Sequence, residues 1–260
     1  WFVHSTNQQQ ALFSINAESL TTHSDPDSYS VASLSSIDKI GDINGDAVQD
    51  ILVGVLTESY VSSDFVRVTN IEIVALSGVN GDVLYRVDTG LGESSQAIED
   101  SLFSVLDDIN NDGVKDFVHV FGESYGSQID DIKDDIKDLV FRSGFSGDII
   151  KTVSISTQVQ SVSGNTYYFG LKSIRDIDGD GLNDIFLRIG LNDQSNIDSN
   201  EFLFFNGSTG AFLSGLSQAV TAEALRLVGG AEAAQELYIV GTYTSALNST
   251  GLLTASIFAH

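Results

Sequence analysis

The sequence predicts an all-β fold, a β-propeller built from units of four antiparallel strands, about 65 residues each. Three observations predict it. An acidic nine-residue loop recurs three times, its copies starting 66 and 68 residues apart. Each copy runs straight into an apolar strand that reaches a glycine: Gly54, Gly122 and Gly190. Each of those strands is followed by a second pair of β-rich runs joined by a glycine-bearing turn, the signature of a hairpin.

The units follow in order. Residues 1–20 read as a partial unit, its third strand (Phe2, Val3, His4), a turn and a fourth strand. Residues 29–88, 100–155 and 167–217 are complete: a short strand, the acidic loop, a strand, a longer connection, and a strand–turn–strand ending. Residues 222–260 form a degenerate unit whose loop, 229–236, has no aspartates, so no metal is expected there. The whole chain is thus one repeat region that begins and ends inside a unit. Either the N-terminal strands complete the last unit and close a small ring without sheet edges, or the chain is a segment of a longer array. The third-strand position is represented at both ends, by Phe2 to His4 and by Phe258 to His260, which favours a segment.

The loops carry the chemistry. Oxygen-bearing side chains fall at positions 1, 3, 5 and 9: Asp42, Asn44, Asp46 and Asp50; Asp108, Asn110, Asp112 and Asp116; Asp176, Asp178, Asp180 and Asp184. Oxygens at odd positions of a tightly curled loop converge on one point. The position-7 carbonyl (Val48, Val114, Leu182) adds a ligand, and water completes the shell of a hard cation. The pattern therefore predicts three Ca²⁺ sites. An EF-hand is excluded, because its position 12 requires a bidentate acid. Here that position is Val53, His119 or Leu187, inside predicted strands.

A net charge of −24, from 36 acidic and 12 basic residues, argues against nucleic acid or an anionic membrane as partner. Three bound dications would bring it to about −18. There is no cysteine, so neither disulfides nor thiol chemistry, and the metal loops become the expected staples. No run of 18 apolar residues occurs, so no direct membrane insertion is expected. This composition suits an extracellular or cell-surface protein.

The repeat resembles the FG-GAP units of integrin α-subunit propellers and of many bacterial surface proteins. It does so most closely from Gly41 through the first loop and strand to Gly54. The resemblance covers almost the whole chain and implies that the twelve side chains above ligate calcium. It departs at Ala47, which stands where the pattern has a glycine of positive φ, so backbone strain is expected in the first loop. Affinity is expected to rise from the first loop to the third, which has four aspartates and glycines at positions 4 and 6.

In the resemblance's geometry the face opposite the calcium loops collects the long connections, 57–70, 123–138, 192–200 and 242–251, together with 18–30, 88–101 and 156–168. Loops on a rigid scaffold are where binding resides. Tyr60, Tyr125 and Tyr243 start three of them, as an aromatic platform for a glycan or protein ligand or, alternatively, as packing over each unit's rim. The run Gly122-Glu-Ser124-Tyr-Gly126 matches a nucleophile elbow, but Gly122 holds the ordinary strand-end position and His119 falls mid-strand, so no enzyme is expected. Ile129, Ile132, Ile136 and Leu139 fall at helical spacing and suggest a short helix. The glycosylation sequons at Asn206 and Asn248 are too short to carry weight.

The expected role is a calcium-stabilised extracellular propeller that binds or adheres. The alternatives are an assembly module of an extracellular fibre, pairing with copies of itself, and the accessory propeller of a secreted polysaccharide-degrading enzyme.

Overall fold

The computed structural model describes residues 2–4, 11–20, 28–61, 66–92, 101–125, 133–155, 166–192, 199–219, 226–228, 236–244 and 250–258. Strand is the main regular structure of the described residues, which contain no α-helix. The first pair is β1 (Phe2–His4) and β2 (Ala11–Ser14), followed by a 3₁₀ turn at Ala17–Leu20. A four-stranded sheet comprises β3 (Ser28–Gly41), β4 (Asp50–Val61), β5 (Val66–Leu76) and β6 (Val83–Gly92). The next comprises β7 (Phe103–Val105), β8 (Phe117–Tyr125), β9 (Lys133–Arg142) and β10 (Ile149–Ser154). The third comprises β11 (Thr166–Ile174), β12 (Asp184–Asn192), β13 (Ser199–Phe205) and β14 (Phe212–Ala219). Three strands end the chain: β15 (Arg226–Val228), β16 (Glu236–Thr244) and β17 (Thr250–Phe258). In the four-stranded sheets every strand pairs antiparallel with its sequence neighbour, and no sheet closes on itself.

Burial explains why the second strand of each sheet reads as a continuous apolar run. Leu52, Val53 and Val55 of β4, Phe117, Val118 and Val120 of β8, and Ile185, Phe186 and Leu187 of β12 are all at most 5% exposed. Neighbouring residues of a strand point to opposite faces, so these strands are covered on both sides. One apolar core runs through all three sheets, from Leu52, Ile73 and Val87 through Phe117 and Phe141 to Leu187 and Phe205. The other face of the first sheet (Ile51, Val53, Val74, Leu76) is covered by Ile15 and Leu20. The first strands β3, β7 and β11 lie beside one another, and β6 packs on β8.

The strands run further than the sequence reading expects. β4 and β5 keep their ladder to Val61↔Val66, and β8 and β9 to Tyr125↔Lys133. The connection expected over 57–70 is therefore mostly hairpin, built by residues of high strand propensity such as Thr57, Val61, Val68 and Thr69. Tyr60 and Tyr243 are strand residues paired with Arg67 and Gly251, and Tyr125 is the last residue of β8. Residues 62–65, 126–132, 193–198 and 245–249 lie outside the described residues, as do 21–27, 93–100 and 156–165 of the other expected connections and 229–235 of the degenerate loop.

Of the helix suggested by Ile129 to Leu139, Ile129 and Ile132 lie outside the described residues, and Ile136 and Leu139 belong to β9. Pairing with β8 satisfies a full ladder of backbone groups, with one bulge between Phe121 and Gly122, and outweighs a local period of four apolar residues. Ser124 pairs with Asp134 within that ladder, so it is a strand residue and not the tip of a nucleophile elbow.

Candidate metal centres

The three acidic loops join the first and second strands of the three sheets, and all fold by one hydrogen-bond scheme. The position-1 aspartate accepts the position-6 amide through Oδ2: Ala47 N to Asp42, Gly113 N to Asp108 and Gly181 N to Asp176, each 2.8 Å. The position-3 side-chain oxygen accepts the position-5 amide, at 3.0 Å in Asn44, 2.8 Å in Asn110 and 3.2 Å in Asp178. The position-5 carboxylate accepts the amide of Val48, Val114 or Leu182 at 2.8–2.9 Å, which fixes the backbone at position 7. To curl this tightly, the chain takes positive φ at positions 4 and 6 in every loop: Gly45 and Ala47, Asn111 and Gly113, Gly179 and Gly181. Ala47, at φ 66°, is in the left-handed region that the sequence reading expects.

Position 9 ties each loop to a second element. Asp50, Asp116 and Asp184 are fully buried. Each accepts its own loop's position-2 amide (Ile43, Ile109, Ile177) through Oδ2 at 2.8 Å. Through Oδ1 each accepts the amide of a glycine in the turn between the third and fourth strands: Gly78 at 2.8 Å, Gly144 at 3.1 Å and Gly207 at 3.0 Å. Those glycines are obligatory, because a Cβ would overlap the position-8 carbonyl oxygen of Gln49, Lys115 or Asn183. Burial pushes the Asp116 and Asp184 carboxyls above their ordinary range despite the amide donors. At Asp112 burial acts in the same direction, but hydrogen bonds from Asn110, Val114 and Ser143 outweigh it and hold the carboxyl below its usual value. Asp180 is likewise lowered, chiefly by Asn206 and then by the Leu182 amide.

The carboxylates converge in two of the loops. Asp108, Asp112 and Asp116 each place an oxygen within 4.8 Å of the others, and so do Asp176, Asp178 and Asp184. These are oxygen-only donor sets, partly buried, that a hard cation would suit. Among the described residues, no comparable trio of acids forms around Asp42, Asp46 and Asp50, and Asp180 stands outside the trio of its own loop.

The turn residue that precedes each obligatory glycine was missed by sequence reasoning. Ser143 Oγ donates to Asp112 Oδ2 at 2.8 Å, and Asn206 Nδ2 donates to both Asp178 Oδ2 and Asp180 Oδ2 at 2.7 Å. The available signal was a Ser/Asn-Gly-x-x-Gly run beginning at Ser77, Ser143 and Asn206, readable as a turn but not as part of the site. Asn206 is 5% exposed, so its sequon is folded into the loop's surroundings. Asn248 lies outside the described residues.

Asp107, also missed, links neighbouring loops: its Oδ2 accepts Asn183 N at 2.9 Å from the third loop. Val114 of the second loop packs on Gly41 beside the first. Tyr85 of β6 donates to the Gly144 carbonyl at 2.9 Å, so the first sheet braces the turn that holds Asp116.

His119, by contrast, is a core residue. It is fully buried, Arg142 Nε donates to its Nε2 at 3.0 Å, and burial lowers its pKa to about 4. Neither a protein-family model nor a curated protein matches this chain.

Proposed function

We propose that this chain is a calcium-stapled β-propeller of the FG-GAP kind, working outside the cell as a binding or adhesive scaffold without catalytic activity. The observation that carries the reading is the hydrogen-bond scheme shared by three loops at the same place in three sheets. Each ends on a buried aspartate clamped between its own loop and the neighbouring turn glycine. Side-by-side first strands and a core continuous through the sheets are what radially stacked blades require.

In the second loop Asp108, Asp112 and Asp116, with Asn110 and the Val114 carbonyl, would hold the ion. In the third, Asp176, Asp178 and Asp184, with Asp180 and the Leu182 carbonyl, would do so. Asp42, Asn44, Asp46, Asp50 and the Val48 carbonyl would form the first and weakest site. Bound calcium would neutralise carboxylates that otherwise repel one another across the loop. By strand alternation the connections 62–65, 126–132 and 193–198 attach at the ends of the sheets opposite the loops, where a glycan or protein ligand would dock.

A cation that binds only the folded chain stabilises it by about 2.7 kcal/mol per site at a hundredfold excess over its dissociation constant. Thermal unfolding in calcium and in chelator tests this. A markedly higher midpoint in calcium is expected, and superimposable curves would remove the staple role.

A further inference from the structure

Asn206 opens the turn between β13 and β14, and its amide orientation is fixed from behind. Its Oδ1 accepts the amides of Ser208 at 3.0 Å and Thr209 at 2.6 Å, and lies 2.7–2.9 Å from both of their hydroxyls. That leaves Nδ2 facing the third loop, where its two protons go to Asp178 Oδ2 and Asp180 Oδ2. Ser208 Oγ stands a further 3.1 Å from Asp180 Oδ2, and Asp180 Oδ1 is taken by the Leu182 amide. Two N–H bonds aimed at two adjacent carboxylates offset the same repulsion that a cation would. Asp180, so held, is the one loop aspartate outside the trio of Asp176, Asp178 and Asp184.

The second loop is the natural comparison. Its turn begins with Ser143, whose single hydroxyl reaches only Asp112, and Asp112 belongs to that loop's carboxylate trio. In the first loop the equivalent Ser77 hydroxyl accepts the Val79 amide within its own turn, at 3.3 Å. The turn position is Ser in the first two loops and Asn in the third, and of the three only Asn206 bridges two loop carboxylates.

We propose that Asn206 is a latch that sets the third loop's calcium affinity, its amide standing in for a cation between Asp178 and Asp180 until calcium displaces it from Asp180. The proposal rests on the calcium reading above and adds a positioning residue to it. It also counteracts the ranking by charge alone, in which four aspartates make the third loop the tightest.

Calcium titration of the full chain followed by ¹H–¹⁵N NMR tests both levels separately. The amides of Gly179 and Gly181 report the third loop, and those of Gly113 and Gly144 the second. Asn206→Ser should lower the calcium midpoint of the third loop about tenfold, the equivalent of about 1.4 kcal/mol, or one net hydrogen bond released. The second-loop midpoint should stay in place, which doubles as the control for folding. Ser143→Asn should raise the second-loop midpoint.

An unchanged or higher third-loop midpoint in Asn206→Ser would overturn the latch. In the wild-type chain the Asn206 side-chain NH₂ signals should move together with Gly181. If they stay fixed while Gly181 moves, the latch is also overturned, whatever the variant's folding. Silence of all four glycines in calcium would instead remove the calcium reading itself.

Discussion

Ala47 and Gly45 form an internal pair for measuring backbone strain in the first loop. Both are left-handed, at φ 66° and 78°, two residues apart on the same exposed curl. A Cβ on Gly45 would meet nothing within 4 Å, so substitution there costs only the conformation. For an L-residue that conformation costs about 1–2 kcal/mol. A glycine is in turn about 0.4–1 kcal/mol more costly to order from the unfolded chain. Ala47→Gly should therefore stabilise the metal-free protein by roughly 0.5–1 kcal/mol, and Gly45→Ala should destabilise it by at least as much. In a chain of this size that corresponds to melting shifts of about 1–4 °C in opposite directions. Calorimetric melts of both variants in chelator, and calcium titrations of both, decide it. Tighter first-loop binding should accompany the gain in Ala47→Gly. A destabilised Ala47→Gly, or a neutral Gly45→Ala, would refute the strain argument, since neither can follow from a left-handed curl.

Other consequences are equally specific. Gly144→Ala should destabilise by about 2–4 kcal/mol in denaturant melts, because a Cβ cannot coexist with the Lys115 carbonyl and the Asp116 clamp would open. Asp107→Ala should leave the Asn183 amide without its acceptor, seen as faster hydrogen exchange at Asn183 and a loss of about 1 kcal/mol. His119 has a folded pKa of about 4, below its unfolded value near 6.5, so the unfolded chain binds the proton first. Its contribution to stability should be complete above about pH 6.5 and lost as pH falls towards 4, roughly 3 kcal/mol in all. Urea melts of His119→Leu across that window should show a correspondingly shallower pH dependence.

The strand repeat and the acidic loops were legible because both are local. Alternation, turn glycines and odd-numbered oxygens sit within nine residues of one another, and the left-handed position at Ala47 followed from its place in the loop alone. What was not legible depends on partners distant in sequence. The ladder that extends β4 to Val61 and places Ile136 and Leu139 in β9 is set by cross-strand pairing. The Asn206 amide reaches Asp178 and Asp180 across 28 and 26 residues, and Asp107 reaches Asn183 across 76. A Ser or Asn before a turn glycine carries no mark of the carboxylate it faces once the chain is folded.

Calcium content measured directly tests the central claim. After equilibrium dialysis of the full chain against calcium in the presence of excess magnesium, elemental analysis should find calcium retained at close to three ions per chain. Asp116→Ala and Asp184→Ala should each remove one, because each takes away the buried carboxylate that clamps its loop to the turn. A chain that retains no calcium, or that keeps the same number in both variants, would contradict the assignment of these loops as calcium sites.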